Sequence, residues 1–155
     1  MNPGLAKFWK TILFANWLAR GKPQSGKEAA DMQGWSGAVN LVFTGEGGGA
    51  WHCAFEPGRA WVRAGAHPAP RGTVTIAVDD FFRLLAGSGS FATMLMLGDV
   101  QVVGEGLAGN VFWGILARVR GSASAGGLAG WLGRRFVNGV LEKSGTGYTL
   151  RTERP

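Results

Sequence analysis

The residues of this chain that could do chemistry are few and far apart. Among 155 residues there are two histidines, His52 and His67, and one cysteine, Cys53. His52 and Cys53 are neighbours in an alternating segment, so their side chains point to opposite faces of a strand and cannot bind one metal ion together. His67 stands alone in a proline-rich stretch. We therefore expect no metal site.

Asp79 and Asp80 are the residues that most resemble the paired carboxylates of an acid–base site. They stand directly before an apolar helical pattern, where Asp79 suits the N-cap and Asp80 the first turn. No serine occupies a Gly-x-Ser-x-Gly elbow, the sharp turn that exposes a nucleophile. With no catalytic residue to assign, we expect a protein that is not an enzyme.

A glycine motif at 104–109 has the spacing of a dinucleotide-binding loop. Gly104, Gly106 and Gly109 follow a predicted strand and precede a predicted helix, as G-x-G-x-x-G should. Dinucleotide folds also need an acid about 20 residues later and a further strand. The next acid here is Glu142, and no apolar strand follows the helix. We interpret the motif as a strand-to-helix turn that requires glycine, and we expect no cofactor.

The elements that surround these residues can be predicted from the hydrophobic pattern. Apolar and polar residues alternate in five segments, which predicts strands at 39–44, 51–55, 59–64, 73–78 and 99–103. Helical spacing predicts helices at 5–19, 79–86, 91–97, 107–117 and 128–143. We expect a linker or short helix at 24–37 and a small-residue linker at 121–127. The chain is long enough for one well-packed domain.

The N-terminal helix allows two interpretations. Its apolar residues cover most of its circumference, so we expect it to pack against the domain. Its tryptophans, phenylalanines and flanking lysines also suit an interfacial helix at a membrane surface. We do not expect a cleaved signal peptide, because Trp17 stands where cleavage after Ala19 would need a small residue. A single cysteine agrees with a reducing compartment, so we expect a cytoplasmic protein, with peripheral membrane association as the alternative.

The charge is unevenly distributed along the chain. The hydrophobic fraction is 46%, the charged fraction 17% and the net charge +6. Residues 1–34 carry a net charge of +3, residues 35–117 of −2 and residues 118–155 of +5. Basic ends favour an anionic partner, which could be lipid headgroups or nucleic acid. For nucleic acid, Arg59, Trp61 and Arg63 on one strand face could stack bases and hold phosphates.

The order of motifs in the middle of the chain resembles the sterol carrier protein type 2 family of lipid-binding domains. The resemblance covers about residues 37–117. It rests on the threonine-rich strand Thr73-Val74-Thr75-Ile76-Ala77-Val78 and on the helix with Asp79, Phe81, Leu84 and a closing Gly87. It continues with the short helix from Met94 to Gly98, the strand at 100–103 and the pair Gly104-Glu105. This chain has Met94-Leu95 where the family often has Ala-Phe, and Glu105 where the family commonly has Asp.

The resemblance implies an α+β fold. Its five-stranded, mostly antiparallel sheet would be covered on one face by helices, with an apolar tunnel between the layers and extra N- and C-terminal helices here. The domains would be 1–34, an N-terminal helix and linker; 35–120, a lipid-binding core; and 121–155, a basic C-terminal helix and tail. The expected tunnel wall is Phe81, Phe82, Leu85, Phe91, Met94, Met96, Val102, Val111, Phe112 and Ile115.

These expectations combine into a non-catalytic lipid-binding or lipid-transfer protein. The ligand would be a sterol-like, fatty-acyl or isoprenoid molecule, and the C-terminal helix would dock on anionic membranes through Trp131, Arg134, Arg135 and Phe136. One alternative within this class is an accessory lipid-holding factor in isoprenoid quinone synthesis. The alternative from another class is a nucleic-acid-binding module that uses Arg59, Trp61, Arg63 and the basic tails.

Overall fold

The computed structural model describes residues 1–22 and 36–151. Most of the predicted linker at 24–37 lies outside this part of the chain. Within these described ranges, five helices and five strands follow one another in this order: α1 (Pro3–Leu18), β1 (Gly37–Thr44), β2 (Gly49–Glu56), β3 (Arg59–Ala64), β4 (Gly72–Ala77), α2 (Val78–Ala86), α3 (Phe91–Leu97), β5 (Val100–Gly104), α4 (Leu107–Ser124) and α5 (Gly127–Ser144).

The strands form one mixed sheet in the order β3-β2-β1-β4-β5. β1 pairs antiparallel with β2, β2 with β3, and β4 with β5, whereas β1 and β4 run parallel. All five strands fall where the alternation of apolar and polar residues predicts them. The expectation of a mostly antiparallel five-stranded sheet in an α+β fold is confirmed.

One face of the sheet carries most of the buried apolar side chains of the strands, because successive residues of a strand point to opposite faces. On β1 these are Val39, Leu41 and Phe43, which lie beside Trp51 and Cys53 on β2. The helices pack on this face. Burial of the combined apolar layer is the main free-energy gain of the fold.

Helix α1 belongs to the same core. The Asn2 side chain caps it by accepting hydrogen bonds from the backbone N–H of Gly4 at 2.8 Å and of Leu5 at 3.3 Å. Phe8 is fully buried, with its ring 5.0 Å from that of Phe81 and 6.0 Å from that of Phe136. The first half of the helix is therefore fixed against both the domain and the last helix.

Two local predictions were wrong. Asp79 does not cap α2: the N-cap residue is Ala77, without a side-chain hydrogen bond, and the Asp79 carboxylate accepts one from the Tyr148 hydroxyl at 2.8 Å. The segment 121–127 is mostly helix: α4 continues to Ser124 and α5 begins at Gly127, so that Ala125 and Gly126 alone form the connection. Its small residues have a packing role instead, since they allow α5 to approach closely at Gly133, where a Cβ would lie 2.6 Å from the backbone of Ser122.

The connection from β3 to β4 crosses the opposite face of the sheet. Asn40 on β1 holds it there: its side chain donates to the carbonyl of His67 at 3.1 Å and accepts from the N–H of His67 at 2.8 Å. Asn40 is buried beneath this loop. The outer face is therefore partly covered by irregular chain, while the helices keep to the inner face.

Candidate functional site

The residues predicted to form a ligand-binding wall gather between the sheet and the helices. Phe81, Phe82 and Leu85 come from α2, Met94 from α3 and Phe112 from α4, and all five are buried in one apolar cluster. Their rings interlock with the sheet, since the ring of Phe81 lies 5.0 Å from that of Phe43 on β1. Three helices thus place apolar side chains over the strands β1, β4 and β5.

These five side chains are closed off from any cavity. A side chain that lines a ligand-sized space keeps surface facing that space, whether the space is open or enclosed. Phe82 has 0% of its surface exposed, and Met94 and Phe112 each have 2%. The described side chains therefore fill the layer at this point, and a ligand would have to move them apart.

Four further wall residues are only half-buried, and they lie at the rim of the same cluster. They are Phe91 on α3, Val102 on β5, and Val111 and Ile115 on α4. Phe91 packs against Phe112 at 5.8 Å between ring centroids and stacks on Trp113 at 5.3 Å. The seam between α3 and α4 is thus the place where the predicted wall reaches the surface.

Met96 does not belong to this wall. It lies 87% exposed on the outer side of α3, between the exposed Leu95 and Leu97. Two residues along a helix are about 200° apart around its axis, so burial of Met94 turns Met96 outward. The sequence analysis missed Trp113, although its position directly after Phe112 on an apolar helix was the available signal.

Ionisable chemistry is nearly absent from the inner layer. The Cys53 thiol faces the core, where burial raises its pKa to about 12, so it is a poor nucleophile at neutral pH. Among the described residues there is no group of three or more His, Cys, Asp or Glu side chains that could hold a metal ion. What this layer can do chemically is exclude water and surround an apolar molecule.

The glycine motif at 104–109 serves the turn between β5 and α4. Gly104 has a positive φ of 86°, and a Cβ there would lie 2.5 Å from the carbonyl oxygen of Arg71. The next residue, Glu105, accepts a hydrogen bond from the Arg71 guanidinium at 2.8 Å. The close approach of two backbone segments accounts for the first glycine of the motif without a nucleotide.

The four predicted docking residues of α5 divide into two pairs. Trp131 and Arg135 are exposed, and the guanidinium of Arg135 lies 5.2 Å from the centre of the Trp131 ring. Arg134 instead donates to the carbonyls of Ala123 at 3.2 Å and Ala125 at 3.3 Å, at the end of α4. Phe136 packs inward against Phe8. Two of the four residues therefore fasten α5 to the protein.

Helices α1 and α5 together present a larger apolar surface than α5 alone. They run antiparallel, because Gly4 lies against Val140 and Ser144 while Phe8 meets Phe136. The second half of α1 and the first half of α5 therefore lie toward the same end of the pair. The exposed apolar side chains there are Phe14, Trp17, Leu18, Leu128, Trp131 and Leu132. We call the surface formed by these six apolar residues the basic end, after the charges of the segments that carry it.

The described segments that carry the basic end have charges of one sign. Residues 1–22 contain Lys7, Lys10, Arg20 and Lys22 but no acid, and residues 106–141 contain four arginines but no acid. Lys10, Arg20, Lys22 and Arg135 are exposed. In the described part of the chain, no helix is long and apolar enough to cross a membrane.

The stripe that could bind nucleic acid is only partly open. Arg59 and Arg63 are exposed on β3, but Trp61 is half-buried. The turn that follows α1 covers its ring: a Cβ at Gly21 would lie 2.8 Å from the Trp61 indole. One face of this indole is therefore not available for stacking on a base.

Solved structures share this architecture at low sequence identity. The sterol carrier protein domain 2 of Helicoverpa armigera matches 76% of this chain and 88% of its own, with a TM-score of 0.52 and 15% identity. Sterol carrier protein 2 like 2 from Aedes aegypti matches 71% of this chain and 93% of its own, with a TM-score of 0.50 and 14% identity. Part of a stereoselective inverting sec-alkylsulfatase from Pseudomonas sp. matches 56% of this chain at 20% identity, with a TM-score of 0.44. The chain spans only 14% of that enzyme.

No family model matches the sequence, and no curated protein matches it significantly. At such low identities the likeness concerns the fold, and in both carrier domains it extends over most of the domain. The five strands, the helices on one face and the order of the motifs agree with it. This chain has a sterol carrier protein 2-like fold.

Proposed function

We propose that this protein is a non-catalytic lipid carrier that holds a sterol-like, fatty-acyl or isoprenoid molecule between its sheet and helices. The observation that carries the proposal is the apolar layer itself. Nine of the ten predicted wall residues belong to one cluster, five in its interior and four at its rim. The free energy of ligand binding would come from the burial of apolar surface, at about 25 cal/mol per Å² removed from water.

Uptake requires an opening, and α3 is the element best suited to provide it. It has only seven residues, and Gly87 precedes its loop and Gly98 follows it, both with a positive φ of 82°. Met94 is its one buried residue. A short helix with one buried side chain can move away from α4 at a smaller cost than a long, fully packed helix. The ligand would then enter beside Phe91 and Trp113.

We further propose that the basic end docks on anionic membranes. Two tryptophans and a phenylalanine among leucines suit the headgroup boundary, and basic residues near an anionic surface contribute about 1 kcal/mol each. The absence of acids from residues 1–22 and 106–141 supports this choice of partner. Docking would involve Trp131 and Arg135, together with Trp17, and leave Arg134 and Phe136 in their internal contacts.

Lipid recovery tests the carrier proposal. Native mass spectrometry and organic extraction of the purified protein should recover a co-purifying lipid, and the protein should bind a fluorescent fatty acid or sterol. We expect the rim substitution Ile115→Trp to weaken probe binding roughly fivefold, because it fills the α3–α4 seam. Leu128→Trp, at an exposed site on α5, is the control and should leave probe binding unchanged.

The possible outcomes separate the roles within and outside the lipid class. Failure to recover any lipid, together with no binding of either probe, would refute the carrier proposal. An isoprenoid quinone precursor in the extract would favour an accessory role in quinone synthesis over sterol or acyl transport. Tight oligonucleotide binding with a steep salt dependence would favour the nucleic-acid alternative.

A further inference from the structure

The two edges of the sheet differ in how their backbone groups are satisfied. At the β3 edge, the Asn16 side chain donates to the carbonyl of Ala60 at 2.8 Å and accepts from the N–H of Val62 at 3.2 Å. The Gly21 carbonyl accepts from the N–H of Ala60 at 2.8 Å. These three bonds replace those that a neighbouring strand would make. β3 is therefore blocked against further pairing.

β5 is the other edge, and no described strand lies beyond it. Large apolar side chains are exposed around it: Val103 on the strand itself is 67% exposed, and Met96 and Leu97 at the end of α3 are more exposed still. Trp113 on α4 is partly exposed next to α3. We call Met96, Leu97, Val103 and Trp113 the β5 edge surface. An open edge with an apolar border is a template for pairing with another strand.

We propose that β5 pairs antiparallel with β5 of a second copy of this chain, so that two sheets join into one continuous sheet. A two-fold axis through Val102 would place Gln101 opposite Val103 of the other copy. The same axis would bring Met96 and Leu97 toward the first turns of α4 of the other copy, where its Trp113 is exposed. Such an interface is self-complementary, as a two-fold interface must be.

The charges at the ends of β5 agree with this register. Asp99 precedes the strand and lies 3.9 Å from the Arg83 guanidinium, while Glu105 follows it and lies 2.8 Å from that of Arg71. The two-fold places Asp99 of one copy opposite Glu105 of the other. Arg83 also pairs with Asp80 at 2.9 Å, so an arginine lies beside each of the two facing acids and reduces the repulsion between them.

A membrane is a poorer partner for this surface than a second copy. Residues 71–106 contain four acids, namely Asp79, Asp80, Asp99 and Glu105, against two arginines, Arg71 and Arg83. An anionic bilayer would repel this group of charges. The self-association would also leave the basic end free, because that surface is built from other residues. This inference concerns the assembly of the chain and does not depend on lipid binding.

Sedimentation at increasing concentration tests the pairing. We expect the wild-type chain to sediment with twice its mass of 16.3 kDa and Gln101→Lys/Val103→Lys to weaken the dimer roughly tenfold or more, since edge lysines oppose pairing. Both positions are exposed in the single chain, so at concentrations where both proteins are monomeric the variant should melt at the wild-type temperature. The matched control Leu128→Lys/Leu132→Lys, at the basic end, should dimerise normally.

The register can be tested with two single-cysteine substitutions. Mixing Gln101→Cys with Val103→Cys should give a covalent dimer under mild oxidation, whereas each variant alone should give little; the native Cys53 is buried. A wild-type chain that stays monomeric at every concentration would overturn the proposal. So would a dimer that the edge lysines leave intact, or one that the control weakens. Equal cross-linking of each variant alone would overturn the register and with it the two-fold through Val102.

Discussion

The basic end and the β5 edge surface both expose a tryptophan among aliphatic side chains, yet they differ in the charges that surround them. At the basic end the exposed charges are Lys10 on α1, Arg20 and Lys22 just after α1, and Arg135 on α5. Around β5 the acids Asp99 and Glu105 are each accompanied by an arginine. Exposed apolar area alone therefore does not identify a partner. The neighbouring charge separates a surface suited to an anionic bilayer from one suited to a copy of itself.

The two surfaces also differ in what lies beneath them. The basic end rests on long helices that are fixed by buried rings. The β5 edge surface rests partly on α3, whose single buried residue is Met94. We expect the first to be rigid and the second, where no second copy covers it, to be the part of the molecule that opens.

The largest effect should come from removing the ring that supports the basic end. Phe8→Ala should lower the free energy of unfolding by about 3–5 kcal/mol, because Phe8 is fully buried between Phe81 and Phe136. Urea denaturation measures it. Phe14→Ala, on the exposed side of the same helix, should cost less than about 0.5 kcal/mol. Equal losses for both variants would mean that α1 does not rest on a packed seam.

Membrane binding should distinguish the two surfaces directly. Trp131→Glu should weaken flotation with phosphatidylserine-containing liposomes roughly tenfold or more. It removes an aromatic anchor and adds a negative charge, which the anionic lipid surface repels. Leu97→Glu makes a comparable change on α3 and should leave flotation unaltered. Raised salt should weaken the wild-type interaction. If Leu97→Glu weakens flotation as much as Trp131→Glu does, the neighbouring charge does not determine which of the two surfaces binds the membrane.

Two adjacent arginines should separate stability from docking. Arg134→Ala should lower the free energy of unfolding by about 1–2 kcal/mol, since it removes two hydrogen bonds to the end of α4. Arg135→Ala should leave stability unchanged and weaken liposome binding by about 1 kcal/mol. Thermal melts and flotation of the same two preparations give both quantities. The reverse assignment would show that Arg134, and not Arg135, reaches the membrane.

The smallest effect should appear at the blocked edge of the sheet. Asn16→Ala should cost about 1 kcal/mol, because two hydrogen bonds between α1 and β3 are lost. Asn110→Ala, at an exposed position of α4, is the control and should have no measurable effect. Sedimentation of Asn16→Ala should also show association beyond the dimer at high concentration. An unchanged stability would mean that Asn16 does not hold the edge.

Most of the fold follows from periodicity in the sequence. The five strands were predictable because each alternates between an apolar and a polar face, and α5 was predictable from its apolar spacing. The end of α4 was not, because Gly121 and Ser122 are typical of linkers and only the approach of Gly133 explains them as helix. The role of Asp79 was not predictable either, because its carboxylate accepts a hydrogen bond from Tyr148, which is distant in the sequence.

The candidate site was predictable in its location but not in its detail. Spacing shows that a helix has an apolar face, but it does not show where that face begins. Met94 and Met96 therefore look alike in sequence, although one is buried and the other is exposed. Arg134 and Arg135 differ for the same reason, since a rotation of about 100° sends one to the end of α4 and the other to solvent. Only the packing of α4 against α5 decides between them.

The rate at which the buried thiol on β2 reacts with a reagent can report how often the protein opens. Cys53 lies on the inner face of the sheet next to Trp51, in strand order three positions away from β5. Trp51 stacks on Trp9 of α1 at 5.0 Å between ring centroids, so we expect a thiol reagent to modify Cys53 only in molecules whose layers have separated around β1 and β2, and not where α3 alone has moved. The rate of thiol modification should therefore report the separation of the layers at β2. A carrier that exchanges its lipid faster than Cys53 reacts must do so through a local opening, at a time scale set by α3 alone.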